Sequence, residues 1–168
     1  MIYFFDTSAL QHRYIDGPKA RGVRSIISSA RNRCYIADLS ILEMSSTLAL
    51  HCRKNTLTLR RYGELDRAFW QDIHDRRLLI YDTGKREYLR ARDLLRYAGV
   101  EKKKGIKSGD ALIAASCLEF ALAQTNPVTF CLEDWGLFHV LRDVSAYHTV
   151  LRFHYIGVDK SKKGVATS

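Results

Sequence analysis

The segment 110–124 constrains the fold of this chain more than any other. Its side chains are apolar almost all the way round a helix, and they include Ala111, Leu112, Ile113, Ala114, Ala115, Leu118 and Phe120. A helix without a polar face has to be covered on every side, so it belongs at the centre of a domain. The sequence therefore predicts a layered fold built around one buried helix.

Short apolar runs alternate with amphipathic segments along the rest of the chain. Strands are predicted at residues 2–5, 35–37, 78–81, 127–131 and 150–156. Helices are predicted at residues 18–30, 40–54, 60–76, 84–98 and 135–141, with Thr83 as an N-cap and Gly99 as a C-terminal stop. This alternation predicts an α/β fold, a three-layer α/β/α sandwich with a mainly parallel central sheet of four to five strands. One domain is expected at residues 1–157, followed by a basic, disordered tail at 158–168 that has few apolar residues to bury.

Composition excludes several classes of protein. No apolar run approaches the ~20 residues of a membrane helix, and the opening Met1–Phe5 run stops at Asp6 without a basic leader, which favours a strand over a signal peptide. The four cysteines (Cys34, Cys52, Cys117 and Cys131) form no C-x-x-C pair and the six histidines are scattered, so no zinc site is expected. Buried free thiols indicate a reducing compartment, and we expect a cytoplasmic protein without membrane contact.

The net charge of +9 predicts a polyanionic partner, with nucleic acid as the leading candidate. Nine cations and only three acids lie between Lys85 and Lys107, and residues 100–108 are predicted to form a basic loop without paired acids. A solvated helix face is the alternative explanation for such a run. RNA contact is the favoured interpretation, and the residues proposed for it are Lys102, Lys103, Lys104, Lys107, Arg92 and Arg96. Tyr88 could stack on a base, but its register predicts a place in the core.

Four acidic residues follow predicted strands or open predicted helices. Asp6 follows the first strand, Glu43 lies one turn into the helix after the second, Asp110 opens the central helix, and Asp134 follows the fourth strand. Ligands of open parallel sheets bind at the carboxyl ends of the strands, so these carboxylates could meet at one edge. Such a cluster repels itself unless a hard cation such as Mg²⁺ or Mn²⁺ binds there.

Each acid also has a purely structural explanation. Asp6 could cap a turn, Glu43 stands at capping-box spacing from Ser40, and Asp110 and Asp134 could complement helix dipoles. The hydroxyls of Thr7 and Ser8 could orient Asp6 or cap the following turn. The joint placement of the four acids on strand ends favours the functional interpretation.

Three segments resemble motifs of the PIN-domain family. They are Phe5-Asp-Thr-Ser-Ala-Leu10, Asp110-Ala-Leu-Ile-Ala-Ala115 and Val128-Thr-Phe-Cys-Leu-Glu-Asp-Trp135, with Glu43 matching the family's second acid. The resemblance extends from Ile2 to about Ile156. The position two after Thr129, often Asp or Asn in the family, is Cys131, which leaves Asp134 as the fourth acid and Glu133 as a substitute.

The resemblance implies a metal-dependent endoribonuclease whose catalytic and metal-binding residues are Asp6, Glu43, Asp110 and Asp134, with Mg²⁺ or Mn²⁺ as cofactor. The commonest small members are VapC-like toxins of type II toxin–antitoxin pairs, so a cognate antitoxin and a homodimer are expected alongside the RNA substrate. Two alternatives remain open, namely an RNA-processing nuclease outside such a pair and a non-catalytic binding module. Phosphotransfer on Asp6 of the haloacid-dehalogenase type is disfavoured because position 8 is Ser, not a second Asp.

Overall fold

Five short strands form one fully parallel sheet with the order β3-β2-β1-β4-β5 in the computed structural model of the chain. The strands are β1 (Ile2–Phe5), β2 (Arg33–Ala37), β3 (Leu79–Tyr81), β4 (Val128–Leu132) and β5 (Leu151–Tyr155). The structure describes residues 1–156, and the tail predicted at 158–168 lies outside them. The predicted parallel sheet is confirmed.

Alternate residues of the strands enter different cores. On β1, Phe4 packs into a core together with Phe130, whereas Phe5 enters the other core with Ile36. This alternation follows from the two-residue period of a strand, and the nearly continuous apolar sequence of β1 reflects burial on both faces. Both faces of the sheet are therefore covered by helices, which confirms the three-layer architecture.

Eight α-helices supply these two covering layers within residues 1–156. The layer around Phe5 contains α1 (Thr7–Leu10), α2 (Ala20–Ser28), α3 (Leu39–Arg53) and α4 (Leu59–His74). The layer around Phe4 contains α5 (Lys85–Arg96), α6 (Ser108–Leu122), α7 (Trp135–Asp143) and α8 (Ser145–Val150). Helix α6 is buried along nearly its whole length, as its uniformly apolar sequence predicts.

Several predicted boundaries were wrong. Gly99 does not stop α5, because the chain continues into one turn of π-helix at Tyr97–Glu101, so the predicted basic loop is irregular only from Lys102 to Lys107. Thr83 does not cap α5, because its hydroxyl hydrogen-bonds the carboxylate of Asp38. The α5 cap is Gly84, whose N–H donates to the side chain of Glu87 at 3.0 Å.

The prediction that Tyr88 belongs to the core was also wrong, since its side chain is 60% exposed. The buried face of α5 instead contains Glu87, Ala91 and Leu94. Two short helices, α1 and α8, were not predicted, because four and six residues are too few to show helical periodicity.

A buried acid ties α4 to the segment that follows α1. Asp72 is 3% exposed and accepts hydrogen bonds from Arg13 Nε at 2.9 Å, from the Tyr14 hydroxyl at 2.9 Å and from Arg77 Nη1 at 3.2 Å. These donors hold the pKa of Asp72 below its usual value, although burial alone would raise it. The network shows that clustered charge in this chain also serves purely structural ends.

The cysteines agree with the expectation of free thiols. Cys34, Cys117 and Cys131 are buried and Cys52 is partly buried, and none forms a disulfide. Across residues 1–156, no helix is both long and apolar enough to cross a membrane.

Candidate functional site

The strand order reverses around β1. Strands β2 and β3 lie on one side of it and β4 and β5 on the other, although β4 follows β3 in the sequence. A crevice at the carboxyl ends of the strands forms where connections leave in opposite directions, and this is where open α/β sheets bind ligands. Asp6 follows β1 at this point and Asp134 follows β4 beside it.

Asp6 is the most deeply buried acid among residues 1–156, at 1% exposure. Its Oδ2 atom accepts hydrogen bonds from the Ser8 N–H at 3.2 Å and from the Ser8 hydroxyl. Its Oδ1 atom is buried and has no hydrogen-bond partner in the described part of the chain. Burial raises the pKa of Asp6 to about 7, and the carboxylates of Asp110 and Glu43 add to this increase against the hydrogen bonds from Ser8.

Glu43 and Asp110 approach Asp6 from two different helices. Glu43 lies in the second turn of α3, and Asp110 lies in the first turn of α6 rather than at its first residue. The side chain of Glu43 lies against the start of α6, so that a Cβ atom on Gly109 would be 2.2 Å from its Oε1. The bare backbone of Gly109 therefore makes room for Glu43 beside Asp110.

Electrostatic coupling extends to the fourth acid. Burial raises the pKa of Asp110, and the carboxylates of Glu43 and Asp134 raise it further, whereas Lys107 lowers it. The structure thus brings Asp6 and Glu43 within electrostatic range of Asp110 at one edge of the sheet, and it brings Asp134 within range of Asp110. As the side chains stand, however, no three His, Cys, Asp or Glu residues among 1–156 are close enough to enclose a metal ion.

Glu133 and Asp134 have different surroundings. The Glu133 carboxylate is hydrogen-bonded to His12 Nε2 at 2.5 Å and forms an ion pair with the Lys19 ammonium. These partners lower the pKa of Glu133 against the effect of its partial burial. Asp134 accepts a hydrogen bond from Leu137 N at 2.8 Å as the N-cap of α7, so it does have a structural role at the start of a helix, as its alternative explanation required. Its second oxygen is not used by that bond, so Asp134 is better placed than Glu133 to join the cluster.

Ser8 connects the ends of the two central strands. Its hydroxyl donates to Asp6 Oδ2 and accepts the N–H of Glu133 at 3.1 Å. The hydroxyl of Thr7 is buried and has no partner in the described residues. Ser8 therefore orients Asp6. The Thr7 hydroxyl is a second unpaired oxygen, and it belongs to the residue directly after Asp6.

The proposed capping box at Ser40 does not exist. Helix α3 begins at Leu39 with Asp38 as its cap, so Ser40 lies inside the helix and Glu43 is free of a capping role. Asp38 was missed by the sequence analysis, although it directly follows β2. Its carboxylate receives the Thr83 N–H at 3.2 Å and the Thr83 hydroxyl, and it fixes the β3–α5 connection.

The basic segment is more heavily paired than the sequence indicated. Lys102 forms an ion pair with Asp143 at 3.1 Å and lies over the ring of Tyr97, which contradicts the expectation of a loop without paired acids. Arg92 pairs with Asp93 and Arg96 with Glu101 on the surface of α5 and the π-turn. Lys103, Lys104 and Lys107 form no ion pair within residues 1–156.

A model of the PIN domain family matches residues 3–124. That match covers most of the chain and contains Asp6, Glu43 and Asp110, whereas Asp134 lies beyond it. The chain therefore belongs to the PIN domain family. No curated protein matches the chain.

Solved structures similar to the chain include VapBC2 from Rickettsia felis bound to a promoter DNA fragment, with TM-score 0.62 and 16% identity over 95% of this chain and 100% of that one. FitAcB from Neisseria gonorrhoeae gives TM-score 0.61 and 20% identity over 92% and 97%. VapBC-1 from nontypeable Haemophilus influenzae gives 0.60 and 15% over 93% and 98%. These similarities establish the fold over nearly the full length of each chain.

Proposed function

We propose that the chain is a metal-dependent endoribonuclease and the toxin of a type II toxin–antitoxin pair. The observation that supports this most strongly is the buried Asp6 carboxylate, whose Oδ1 atom has no partner among the described residues and whose pKa is raised toward 7 by burial and by two neighbouring acids. A fold built for stability alone would not place unpaired carboxylates together in a crevice.

A hard divalent cation fits this set of donors. Mg²⁺ and Mn²⁺ prefer carboxylate oxygens and keep several waters. A bound cation would give the unpaired oxygen of Asp6 a partner and would offset the repulsion among the acids. Asp6, Glu43, Asp110 and Asp134 would hold it, after rotations of the side chains that draw them closer together. When bound, such an ion supplies an activated water and stabilises the departing oxygen of a phosphodiester.

The protein residues determine how the site is assembled. Ser8 fixes the orientation of Asp6 through two hydrogen bonds and also holds the backbone of Glu133. His12, through a hydrogen bond, and Lys19, through an ion pair, hold Glu133 and keep it out of the acidic cluster. Lys107, one turn before Asp110 and without an ion pair in residues 1–156, is placed to contact a phosphate entering the crevice.

The cleavage experiment compares asparagine variants of the site with a matched control. Asp6→Asn and Asp110→Asn should abolish Mg²⁺- or Mn²⁺-dependent cleavage of RNA while the protein stays folded, because each removes a ligand charge and little volume. Asp66→Asn, a change of the same kind on α4, should cleave like the wild type. Products should carry a 5′-phosphate and a 3′-hydroxyl, and a 2′,3′-cyclic phosphate would refute attack by an activated water.

A second comparison identifies the fourth acid. Asp134→Asn should weaken Mn²⁺ binding and cleavage, whereas Glu133→Gln should retain both to a larger degree, since the Glu133 carboxylate is already paired with Lys19 and hydrogen-bonded to His12. The reverse order of the two variants would assign Glu133 to the metal.

RNA contact by the basic segment is part of the same proposal. The main contributors should be Lys103, Lys104 and Lys107, and smaller contributions are expected from Lys102, Arg92 and Arg96 because each already has an acidic partner. Replacing Lys102, Lys103 and Lys104 by Ala should reduce the salt dependence of RNA binding by up to about 0.7 in slope per lost contact. Cleavage at saturating RNA should change little, and an unchanged slope would show that the segment is only a solvated surface.

An apolar cleft beside the acids supports a protein partner. It has a volume of about 520 Å³ and lies between α3, α5 and the start of α6, with Leu39, Glu43 and Tyr88 among its lining residues. Leu42 and Tyr88 are 70% and 60% exposed nearby. We propose that an antitoxin covers this region and reaches the acids, and that the toxin itself forms a homodimer in the cytoplasm.

Expression without the antitoxin tests this assignment. The wild type should arrest growth and the Asp6→Asn variant should not, while co-expression of the protein encoded by an adjoining gene should restore growth. Harmless expression of a chain that is active as a nuclease would instead identify an RNA-processing enzyme.

A further inference from the structure

A second basic surface lies at the opposite edge of the sheet from the acids. At the amino ends of the strands, Arg31, Arg33, Arg152 and the N-terminal residue Met1 line one cavity of about 560 Å³. Asn126 also lines it, and no Asp or Glu of residues 1–156 does. We call the three arginines the amino-edge patch.

The charge of this patch is not compensated. The segments around this cavity, residues 1–5, 24–37, 120–132 and 144–156, contain no Asp or Glu. Within the described part of the chain, none of the three guanidinium groups takes part in an ion pair or a hydrogen bond, and all three residues are exposed. Most of the other arginines that line a cavity form an ion pair with a carboxylate. Arg90, for example, pairs with Glu119.

Attraction to helix ends does not account for the patch. Helices α2 and α6 end near this edge, and cations are favoured at the C-terminal ends of helices. The Met1 amine does donate to the Arg31 carbonyl at 2.9 Å. The guanidinium groups of the patch, however, make no such contact with helix carbonyls in residues 1–156, so their donors remain available to a ligand.

The edge strand β5 connects the patch to the acidic site. Arg152 and His154 are exposed alternate residues on one side of β5, and the strand ends beside Asp134, where Ile156 N donates to Leu132 O at 2.9 Å. Five residues of strand span about 15 Å. A chain of a few nucleotides could therefore follow β5 from the acids to the amino-edge patch without crossing an acidic surface.

We propose that the amino-edge patch binds the phosphodiester backbone of the RNA at a distance from the bond that is cleaved. The proposal rests on the proposed function in that the RNA is the substrate of the acidic site. Guanidinium groups suit this role because their planar donors form paired hydrogen bonds with phosphate oxygens. Contacts of this kind add affinity and orient the strand without reading its sequence.

The test uses two triple variants that change the net charge equally. In the first, Arg31, Arg33 and Arg152 become Gln; in the control, Arg53, Arg67 and Arg76, which are exposed on or just after α3 and α4, become Gln. Binding is measured against salt without divalent metal, using one long single-stranded RNA and one tetranucleotide of the cleaved sequence. Melting temperatures of both variants verify that they are folded.

For the long RNA, the patch variant should lose up to about 2 in the slope of log affinity against log salt, at about 0.7 per phosphate contact. Its affinity for the tetranucleotide and its single-turnover cleavage of that short substrate should match those of the wild type. The control variant should lose clearly less on the long RNA, because its arginines do not adjoin the path along β5.

Three results would overturn the proposal. The first is an unchanged slope in the patch variant, and the second is an equal loss in both variants, which would reflect net charge alone. The third is an equal loss on short and long RNA. If the wild type cleaves RNA in any of these cases, only the amino-edge patch is refuted. A wild type that neither binds nor cleaves RNA would refute the proposed function together with it.

Discussion

Replacing Asp6 by Asn is expected to stabilise the metal-free protein rather than weaken it. Burial, together with the carboxylates of Asp110 and Glu43, raises the pKa of Asp6 from an ordinary value of 3.8 to about 7. The folded state therefore holds this proton more tightly than the unfolded state does. Ionising Asp6 in the folded protein costs stability progressively as the pH rises from about 4 to 7.

The size of the effect follows from the shift. A difference of about 3 pH units in pKa corresponds to about 4 kcal/mol of lost stability at pH 8, at 1.36 kcal/mol per unit. Asparagine removes the charge but leaves an amide to be paired, so 4 kcal/mol is an upper limit. For a domain of this size the melting temperature would rise by up to about 10 °C.

The assay is thermal or denaturant unfolding with a chelator present, between pH 4 and pH 8. The difference in unfolding free energy between Asp6→Asn and the wild type should be near zero at pH 4 and should grow in favour of the variant as the pH rises. The control Asp66→Asn should show no comparable trend. Adding Mn²⁺ should stabilise the wild type and reverse the order, because a ligand that binds only the folded state adds to its stability. A variant that is less stable than the wild type at pH 8 would refute the inference that burial and neighbouring acids destabilise the ionised Asp6 carboxylate.

Two further substitutions separate stability from site geometry. Gly109→Ala should leave the melting temperature unchanged or slightly higher, because Ala favours helix. Its Cβ would displace the Glu43 carboxylate, so the Mn²⁺ affinity measured by titration should fall roughly tenfold. The control Gly22→Ala has open space at its Cβ and should leave that affinity unchanged, whereas unimpaired Mn²⁺ binding by Gly109→Ala would exclude Glu43 from the site. Asp72→Ala should destabilise the protein by about 3 to 5 kcal/mol, because it leaves buried donors without their acceptor. Since the pKa of Asp72 is lowered in the folded state, its contribution is present above the ordinary pKa of an Asp and lost as the pH falls through its lowered value, so the wild type should lose its advantage over Asp72→Ala in acid unfolding.

The strands and the acids could be predicted because they depend on local sequence patterns. β1 and β4 are short apolar runs ended by acids, and a parallel sheet necessarily brings the ends of neighbouring strands together. The burial of α6 along most of its length also follows from its composition. The register of helix faces against the sheet is not fixed in this way, which is why Tyr88 was wrongly assigned to the core.

The errors at the site and the basic segment have a common cause. Lys102 is paired with Asp143, Thr83 with Asp38, and Glu133 with His12 and Lys19. Each pair joins residues that are distant in the sequence, and no local pattern shows that they meet. Asp38 directly follows a strand just as Asp6 does, and only its contacts reveal that it serves the β3–α5 connection.

The central position of β1 has a consequence for synthesis of the chain. Asp6 is synthesised well before its neighbour across the crevice, which follows β4. Pairings between such distant segments form late and slowly in folding. A nascent or truncated chain that lacks β4 would thus carry three of the four acids without a completed crevice. We therefore expect the proposed nuclease activity to appear only after β4 has been made and has paired with β1.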